Sequence, residues 1–438
     1  MKIGKLYFGK DDLQYGLELC LENSHRSATL VDCSTAGVVD VLLVSFFWFR
    51  DIYYFEKFLR DSGLKKRNGK PIIIAGGMQA TMTPELISEM VDYVFIGDGE
   101  NDLPNILSEI EVGDKPSSKY LYTKASNHIP YPCECDPSGF KIEKRATQIV
   151  TRIEIARGCK FKCPFCCLSN LKPYREVPTA EAIKQINNVN GKLVSVFAPE
   201  RTLHSGWLEI ESAIEKKGLK DFGQDARLEN IHKVKQNTVT FGLEGISYEL
   251  RKSIKKPFTE DFIIQRLGDF VESKNKICMV STYFIADLPG EKFDDWNEIY
   301  QLFSRIEKEN WSRFLTFKPI LNPLSPKKFT PLFDATVHIF RDYGKMWLDL
   351  LRKKGSRWGF RIAETMIWSP WLRLIDVIAN KGGREAYSLI SRLPYKYLSQ
   401  IPPVKDQRGL CLSVMAECKR IGIYDKLNIS ERKEYERK

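Results

Sequence analysis

The sequence predicts an α/β protein in three parts: a doubly wound parallel sheet over residues 1–112, a (β/α) barrel over 150–335, and a helical C-terminal region over 336–438. Three observations predict it. Apolar strands alternate with amphipathic helices in the first part, a pattern that builds a parallel sheet covered on both faces. From residue 150 strands recur at helix-plus-loop spacing. Each ends in a polar or glycine cluster, as in barrels whose active site lies at the strand carboxyl ends. Beyond residue 336 the apolar spacing turns helical.

The opening Met-Lys-Ile-Gly-Lys-Leu-Tyr-Phe reads as a strand rather than a cleavable leader. Residues 40–45 read as a buried strand and 53–64 as a helix. Residues 71–77 are a second buried strand ending in a glycine turn, followed by a helix at 84–90, a strand at 93–96 and the turn Gly-Asp-Gly-Glu at 97–100. Ligands of such sheets sit outside the strand carboxyl ends, where Ser45, Gly76, Gly77, Gly97 and Gly99 fall. Glycines there either admit a ligand's close approach or serve only the sheet's topology. Residues 113–149, rich in Pro, Ser and turn formers, read as a linker. Its Cys133 and Cys135 read as structural or incidental, because two thiols alone make a poor metal site.

The stretch 152–175 organises the second part. Apolar alternation around Ile153 and Ile155 reads as a strand that Arg157-Gly158 ends. Cys159, Cys163 and Cys166 follow, spaced C-x-x-x-C-x-x-C. The loop is too short to join them pairwise in good disulfide geometry. The spacing is not a usual zinc pattern, whereas iron–sulfur clusters are held by thiolate runs of this kind. Three ligands leave one iron of a [4Fe–4S] cluster open to a non-protein ligand. A four-thiolate zinc site using Cys167 is the rival reading, but adjacent cysteines ligate one small tetrahedral ion poorly. Cys167 reads better as a small buried residue. Later strands end at Glu200, at Arg227, at Glu244 through Ser247, at Ala-Asp-Leu-Pro-Gly-Glu (286–291) and at Asn322-Pro323.

This cysteine spacing, with Phe165 before the third cysteine, resembles the signature of the radical S-adenosylmethionine (SAM) superfamily. The preceding Arg157-Gly158-Cys159 is typical of its cobalamin-binding and methylthiotransferase-like branches. The resemblance implies an incomplete barrel of about six parallel strands, a [4Fe–4S] cluster whose open iron chelates SAM, and a 5′-deoxyadenosyl radical that abstracts a substrate hydrogen. It implies that Glu244, on the Gly-Leu-Glu-Gly-Ile-Ser segment with Ser247, contacts the ribose or methionyl part of SAM. A carboxylate suits two hydroxyls, since it accepts both hydrogen bonds. Glu200 falls where the family binds the amino group, and Arg227 could reach the carboxylate bidentately. Residues 283–291 correspond to the adenine-holding segment, and Tyr174-Arg175 to a support of the cysteine loop. The rival reading of each is a solvated strand-end residue.

The segments I-I-A-G-G-M-Q-A-T-x-x-P-E and V-F-I-G-D-G-E of the first part resemble a cobalamin-binding-like domain, which implies a ligand site at Gly76, Gly77, Gly97 and Gly99. No D-x-H-x-x-G is present, so cobalamin would bind without that imidazole, and some members keep the fold and bind none. The branch implies methylation of an unactivated carbon with methylcobalamin as donor. The alternative is cobalamin-free rearrangement, dehydrogenation or sulfur insertion on a nucleobase or peptide. A non-catalytic metal-binding nucleic-acid protein is the reading of another class. The resemblance also implies a reductant such as flavodoxin or ferredoxin. The substrate, whether small molecule, peptide or nucleic acid, is not legible in these residues.

Lys and Arg total 67 against 56 Asp and Glu, a net charge of +11. That permits an anionic partner, but with no polybasic run solubility suffices to explain it. Eleven cysteines without a secretory signal predict a reducing, cytoplasmic setting, and no apolar run is long enough to cross a membrane. Residues 337–353 and 371–380 show helical periodicity, and residues 374–387 resemble a tail that covers the barrel mouth in the cobalamin-like branch. Trp358, Trp368 and Trp371 interleave with Arg357, Arg361 and Arg373, a set suited either to base stacking or to helix packing.

Overall fold

The computed structural model describes residues 1–8, 15–66, 68–137, 141–145, 149–223, 225–274, 276–341, 346–347 and 369–432. It forms two compact units, Met1–Asp136 with Leu374–Leu427, and Pro137–Arg373 with Asn428–Lys438.

The first unit holds six strands: β1 (Ile3–Leu6), β2 (Thr29–Leu30), β3 (Val41–Ser45), β4 (Ile72–Gly76), β5 (Tyr93–Phe95) and β6 (Leu121–Tyr122). They form one sheet in the order β2-β1-β3-β4-β5-β6. Every pair is parallel except β5 with β6. Val41, Leu42, Leu43 and Val44 are all buried, as a strand covered on both faces requires. The helix expected at 53–64 starts earlier and spans Phe49–Asp61. The Asp51 carboxylate accepts the N–H groups of Phe47 and Trp48 at 2.7 and 2.8 Å and so moves the start of the helix forward. The helix expected at 84–90 is instead two short ones, Met78–Met82 and Pro84–Ile87, with Pro84 opening the second.

C-terminal helices complete this unit. The Tyr53 hydroxyl donates to the Ile375 carbonyl at 2.8 Å, and Gln79 donates to Asn380 Oδ1 at 3.1 Å. The Arg60 guanidinium donates to the carbonyls of Ile390, Ser391 and Leu393. The stretch at 113–149 contributes β6 and a bridge from Cys133 to Gly97 to the first unit.

The second unit opens with a hairpin of β7 (Lys141–Arg145) and β8 (Ile149–Glu154). Further strands are β9 (Ala156–Arg157), β10 (Arg175–Glu176), β11 (Leu193–Phe197), β12 (Lys220–Asp221), β13 (Thr238–Glu244), β14 (Cys278–Ala286) and β15 (Leu315–Pro323). Beside the two-stranded β10-β9, two larger sheets result, β12-β11-β8-β7 and β13-β14-β15, and a parallel bridge from Asp225 to Thr240 links them. Strands β8, β11, β12, β13, β14 and β15 thus run parallel in chain order, as in a partial barrel. Along β13 Val239, Phe241 and Leu243 are buried and alternate with part-exposed residues, the period-two pattern of a strand.

Residues 337–353 do not begin as a helix. Val337–His338 forms a strand, β16, paired in parallel with β17 (Ile429–Ser430). The Asn428 carbonyl and the Asp287 carboxylate take the N–H groups of Val337 and His338 and hold them extended. Most of the remaining stretch, 342–345 and 348–353, lies outside the described residues. The helix expected at 371–380 is present as Pro370–Lys381. Trp371 is fully buried, and Arg373 donates to the carbonyls of His338 and Arg341, so neither is offered to a base. Arg357, Trp358, Arg361 and Trp368 lie outside the described residues. Among the described residues no helix is long and apolar enough to cross a membrane.

Candidate active site

The cysteine loop leaves the carboxyl end of β8. Its base is closed where β9 pairs antiparallel with β10, Arg157 opposite Arg175 and Ala156 opposite Glu176. Gly158 sits at φ +68°, and a Cβ there would lie 2.2 Å from the Pro173 carbonyl oxygen. Only glycine lets the loop close. Lys160 Nζ lies 4.4 Å from the centre of the Tyr174 ring, and Arg175 pairs with Arg157, so both residues pack at the base of the loop. Gly158→Ala should leave both units folded and sharply reduce the iron retained after reconstitution; full iron loading would show that loop closure is not required.

The thiol-bearing backbone is held from inside. The Cys166 N–H donates to the Cys163 carbonyl at 3.1 Å. Asn170 Nδ2 donates to the carbonyls of both Cys163 and Cys166, at 2.7 and 2.8 Å, and the Ser169 hydroxyl adds a bond to Cys166 at 3.1 Å. All three thiols are free. Burial pushes the Cys159 and Cys163 thiols up, while the nearby charges of Lys256 and Arg227 pull Cys163 back. Among the described residues no three Cys, His, Asp or Glu side chains already converge on one metal position. The chemistry of the donor set, three free thiols on one clamped loop with two cations to offset thiolate charge, is that of a thiolate-held centre.

Three of the expected strand-end residues gather on this loop. Glu200 follows β11, is 5% exposed, and accepts the Thr202 N–H at 3.1 Å as well as its hydroxyl. Burial holds its carboxyl above the usual range, against hydrogen bonds from Thr202 and the charge of Arg227. Arg227 follows β12. Its guanidinium stacks on Phe161 at 3.5 Å, donates to Glu229 at 2.8 Å, and approaches Cys163 Sγ to 3.9 Å. Glu244 ends β13 at φ +65°, beside a register shift at Gly242. Its carboxylate accepts Lys256 Nζ at 3.1 Å, and Lys256 also donates to the Gly242 carbonyl at 2.8 Å. Ser247, in contrast, is fully buried and caps helix Tyr248–Ser253 by accepting the Leu250 N–H.

In the first unit Gly77 (φ +96°) and Gly97 (φ +106°) are required by chain packing. A Cβ would lie 2.6 Å from the Phe46 carbonyl oxygen at Gly77, and 2.3 Å from Cys133 backbone atoms at Gly97. Gly76 has open space, and a Cβ at Gly99 would make ordinary contact with Cys20 Sγ at 3.4 Å. Cys133 and Cys135 are buried in the apolar core of this unit. Just past the carboxyl end of β3, Phe47 and Trp48 are 53% and 62% exposed, with rings 5.0 Å apart edge to face.

The sequence reading missed Asn170 and Lys256. Asn170 is one helical turn past Cys166, a spacing that could have marked it. Lys256 lies in a Lys-Lys-Pro-Phe run that reads as solvated, and nothing local shows that it is buried.

Comparison with known proteins agrees with this layout. Residues 153–303 match the model of the Radical SAM superfamily, and residues 61–130 that of Radical SAM proteins, N-terminal. An uncharacterized protein of Methanocaldococcus jannaschii is 24% identical over 345 residues, 74% of this chain and 74% of that one. The ribosomal protein uS12 methylthiotransferase RimO of Clostridium novyi is 21% identical over 342 residues, 72% of this chain and 74% of RimO. Among solved structures, the apo form of the cobalamin-dependent SAM radical enzyme OxsB shares the fold with a TM-score of 0.52 at 14% identity, over 71% of this chain. The match takes in 54% of the OxsB chain, about half its length.

Proposed function

We propose that this chain, which belongs to the radical SAM superfamily, opens its reaction by reductive cleavage of SAM and uses cobalamin to methylate an unactivated carbon. The clamped three-thiol loop, with Glu200, Arg227 and Glu244 gathered on it from successive strand ends, carries the first part of this reading. Cys159, Cys163 and Cys166 would hold a [4Fe–4S] cluster, which when bound supplies the electron that breaks the sulfonium C–S bond of SAM. Arg227 and Lys256 offset the negative charge of the thiolates. Glu244, steadied by Lys256, accepts hydrogen bonds from the ribose hydroxyls; Glu200 takes the amino group. Arg227 serves the SAM carboxylate. Anaerobic, iron-reconstituted protein with flavodoxin as reductant should release 5′-deoxyadenosine from SAM. Glu244→Ala should weaken SAM binding while iron stays bound. If that variant loses its iron or its fold, Glu244 is structural and the ribose assignment fails.

The exposed Phe47–Trp48 pair at the carboxyl end of a parallel sheet supports the cobalamin part, since ligands of such sheets sit there and a flat corrin packs on aromatic surface. A second reading is radical modification without cobalamin. It is favoured by Gly77 and Gly97, whose lack of a side chain is already explained by the close approach of the chain itself. Protein saturated with cobalamin and desalted should show corrin absorbance, and Trp48→Ser should weaken retention severalfold. Protein that stays free of corrin yet cleaves SAM would exclude the methylcobalamin mechanism and leave the second reading.

A further inference from the structure

Asp287, directly after β14, stands at φ +72°, a region non-glycine residues seldom adopt. The Asp287 N–H donates to Glu291 Oε2 at 2.7 Å. The carboxylate is almost fully buried and accepts bonds from His338 and Arg341. Oδ2 takes the His338 N–H at 2.8 Å. Oδ1 takes His338 Nδ1 at 2.5 Å and Arg341 Nη1 at 3.2 Å. Arg373 Nη1 donates to the carbonyls of His338 and Arg341, at 3.0 and 2.8 Å. The imidazole is therefore held from both the strand end and its own backbone.

The hydrogen bonds set its tautomer. An ionised carboxylate offers only lone pairs, so Nδ1 carries the proton and Nε2 of the neutral ring keeps a lone pair. Among the described residues nothing bonds to Nε2, and the His338 side chain is 20% exposed against 4% for Asp287. His204 is the contrast. Its Nε2 faces the Val177 carbonyl at 2.8 Å, its Nδ1 accepts the Gly206 N–H at 3.1 Å, and it is buried. Both of its nitrogens serve structure, in the opposite tautomer.

The position of the pair is that of an active-site rim. Asp287 follows the carboxyl end of β14, the neighbour of β13, which ends in Glu244. The chain between β15 and His338 touches the cysteine loop, where the Leu332 N–H donates to the Pro164 carbonyl at 3.1 Å. In barrels of this kind groups at strand carboxyl ends meet the substrate.

We propose that Asp287 and His338 form a proton-accepting subsite for a substrate that carries a hydroxyl or amine beside its reacting carbon. His338 Nε2 accepts the hydrogen bond and then the proton from that O–H or N–H. The electron pair stays on the substrate oxygen or nitrogen, no electron is transferred, and the Asp287 carboxylate stabilises the imidazolium. His338 is the catalytic residue of the pair and Asp287 a positioning residue. The assignment rests on the barrel mouth being the active site.

The test uses the full, iron-loaded chain with 15N-labelled histidine. Two-bond proton–nitrogen spectra should show His338 protonated at Nδ1 and bare at Nε2, and His204 the reverse. His338→Gln assigns the signal. Asp287→Asn should shift His338 away from the pure Nδ1–H form. Diethyl pyrocarbonate should modify His338 and spare His204, as read by peptide mass spectrometry. An Nε2–H tautomer at His338, or a His338 inert to the reagent in the wild-type chain, overturns the proposal even if Asp287→Asn does not fold. A chain that never loads iron yet gives the expected His338 spectrum would instead sink the functional reading.

Discussion

Replacing Cys159, Cys163 or Cys166 by alanine should abolish the iron–sulfur absorbance of reconstituted protein and take its iron from about four per chain to none. Release of 5′-deoxyadenosine should vanish with it. The fold should survive, because the loop is held by bonds that do not use the thiols. The β9–β10 ladder closes its base, and Asn170 clamps the carbonyls of Cys163 and Cys166. Far-ultraviolet circular dichroism separates ligand loss from unfolding. Cys167→Ala should keep the full complement of iron, since Cys167 opens helix Cys167–Leu171 and lies just past the turn that the Cys166 N–H closes onto the Cys163 carbonyl. A stoichiometric zinc ion without iron–sulfur absorbance, lost on Cys167→Ala, would overturn the assignment in favour of a four-thiolate site.

Asp221→Ala should destabilise the second unit by about 3–5 kcal/mol, the range for breaking one side of a buried ion pair. Arg201 and Asp221 are each 2% exposed at their side chains and bonded to one another. The Arg201 guanidinium also donates to the Gly223 carbonyl and lies 4.8 Å from the centre of the Trp207 ring. Asp221 Oδ1 accepts the N–H groups of Gly223 and Val196, at 2.9 and 3.4 Å. Without Asp221 the guanidinium stays buried with no countercharge in its pair, and the β11–β12 edge loses two further bonds. Paired replacement by apolar residues, Arg201→Met with Asp221→Leu, should recover much of the loss, because it removes the uncompensated charge. Urea unfolding measures both. A loss below about 1 kcal/mol, the level of a solvated surface pair, would mean that water reaches the site. Because Glu200, proposed above to take the SAM amino group, immediately precedes Arg201, the single variant should on that reading also weaken SAM binding.

The layout of the chain was legible because it is written in local patterns. Continuous apolar runs at 41–45 and 72–76 mark strands buried on both faces, and the spacing of Cys159, Cys163 and Cys166 puts three thiols on one short loop. Each is decided by neighbours a few positions away. Helix starts were less legible, since one distant or looping bond moves them: the Asp51 carboxylate reaches back to Phe47 and Trp48 and sets the start at Phe49.

What only the tertiary structure decided are the partners far apart in sequence. Val337 and His338 have helical spacing, yet a ladder to Ile429 and Ser430 and a bond to Asp287 make them a strand. Gly97 reads equally as a ligand turn or a packing glycine until Cys133 is seen against it. Lys256 reads as solvated until Glu244 and Gly242 close around it, and Asp287 reads as a turn residue until His338, 51 positions later, binds it. Periodicity and spacing fix which face of an element is apolar and which residues share a loop. They carry no information on which strand ends meet, because that depends on burial and hydrogen bonding summed over the whole fold.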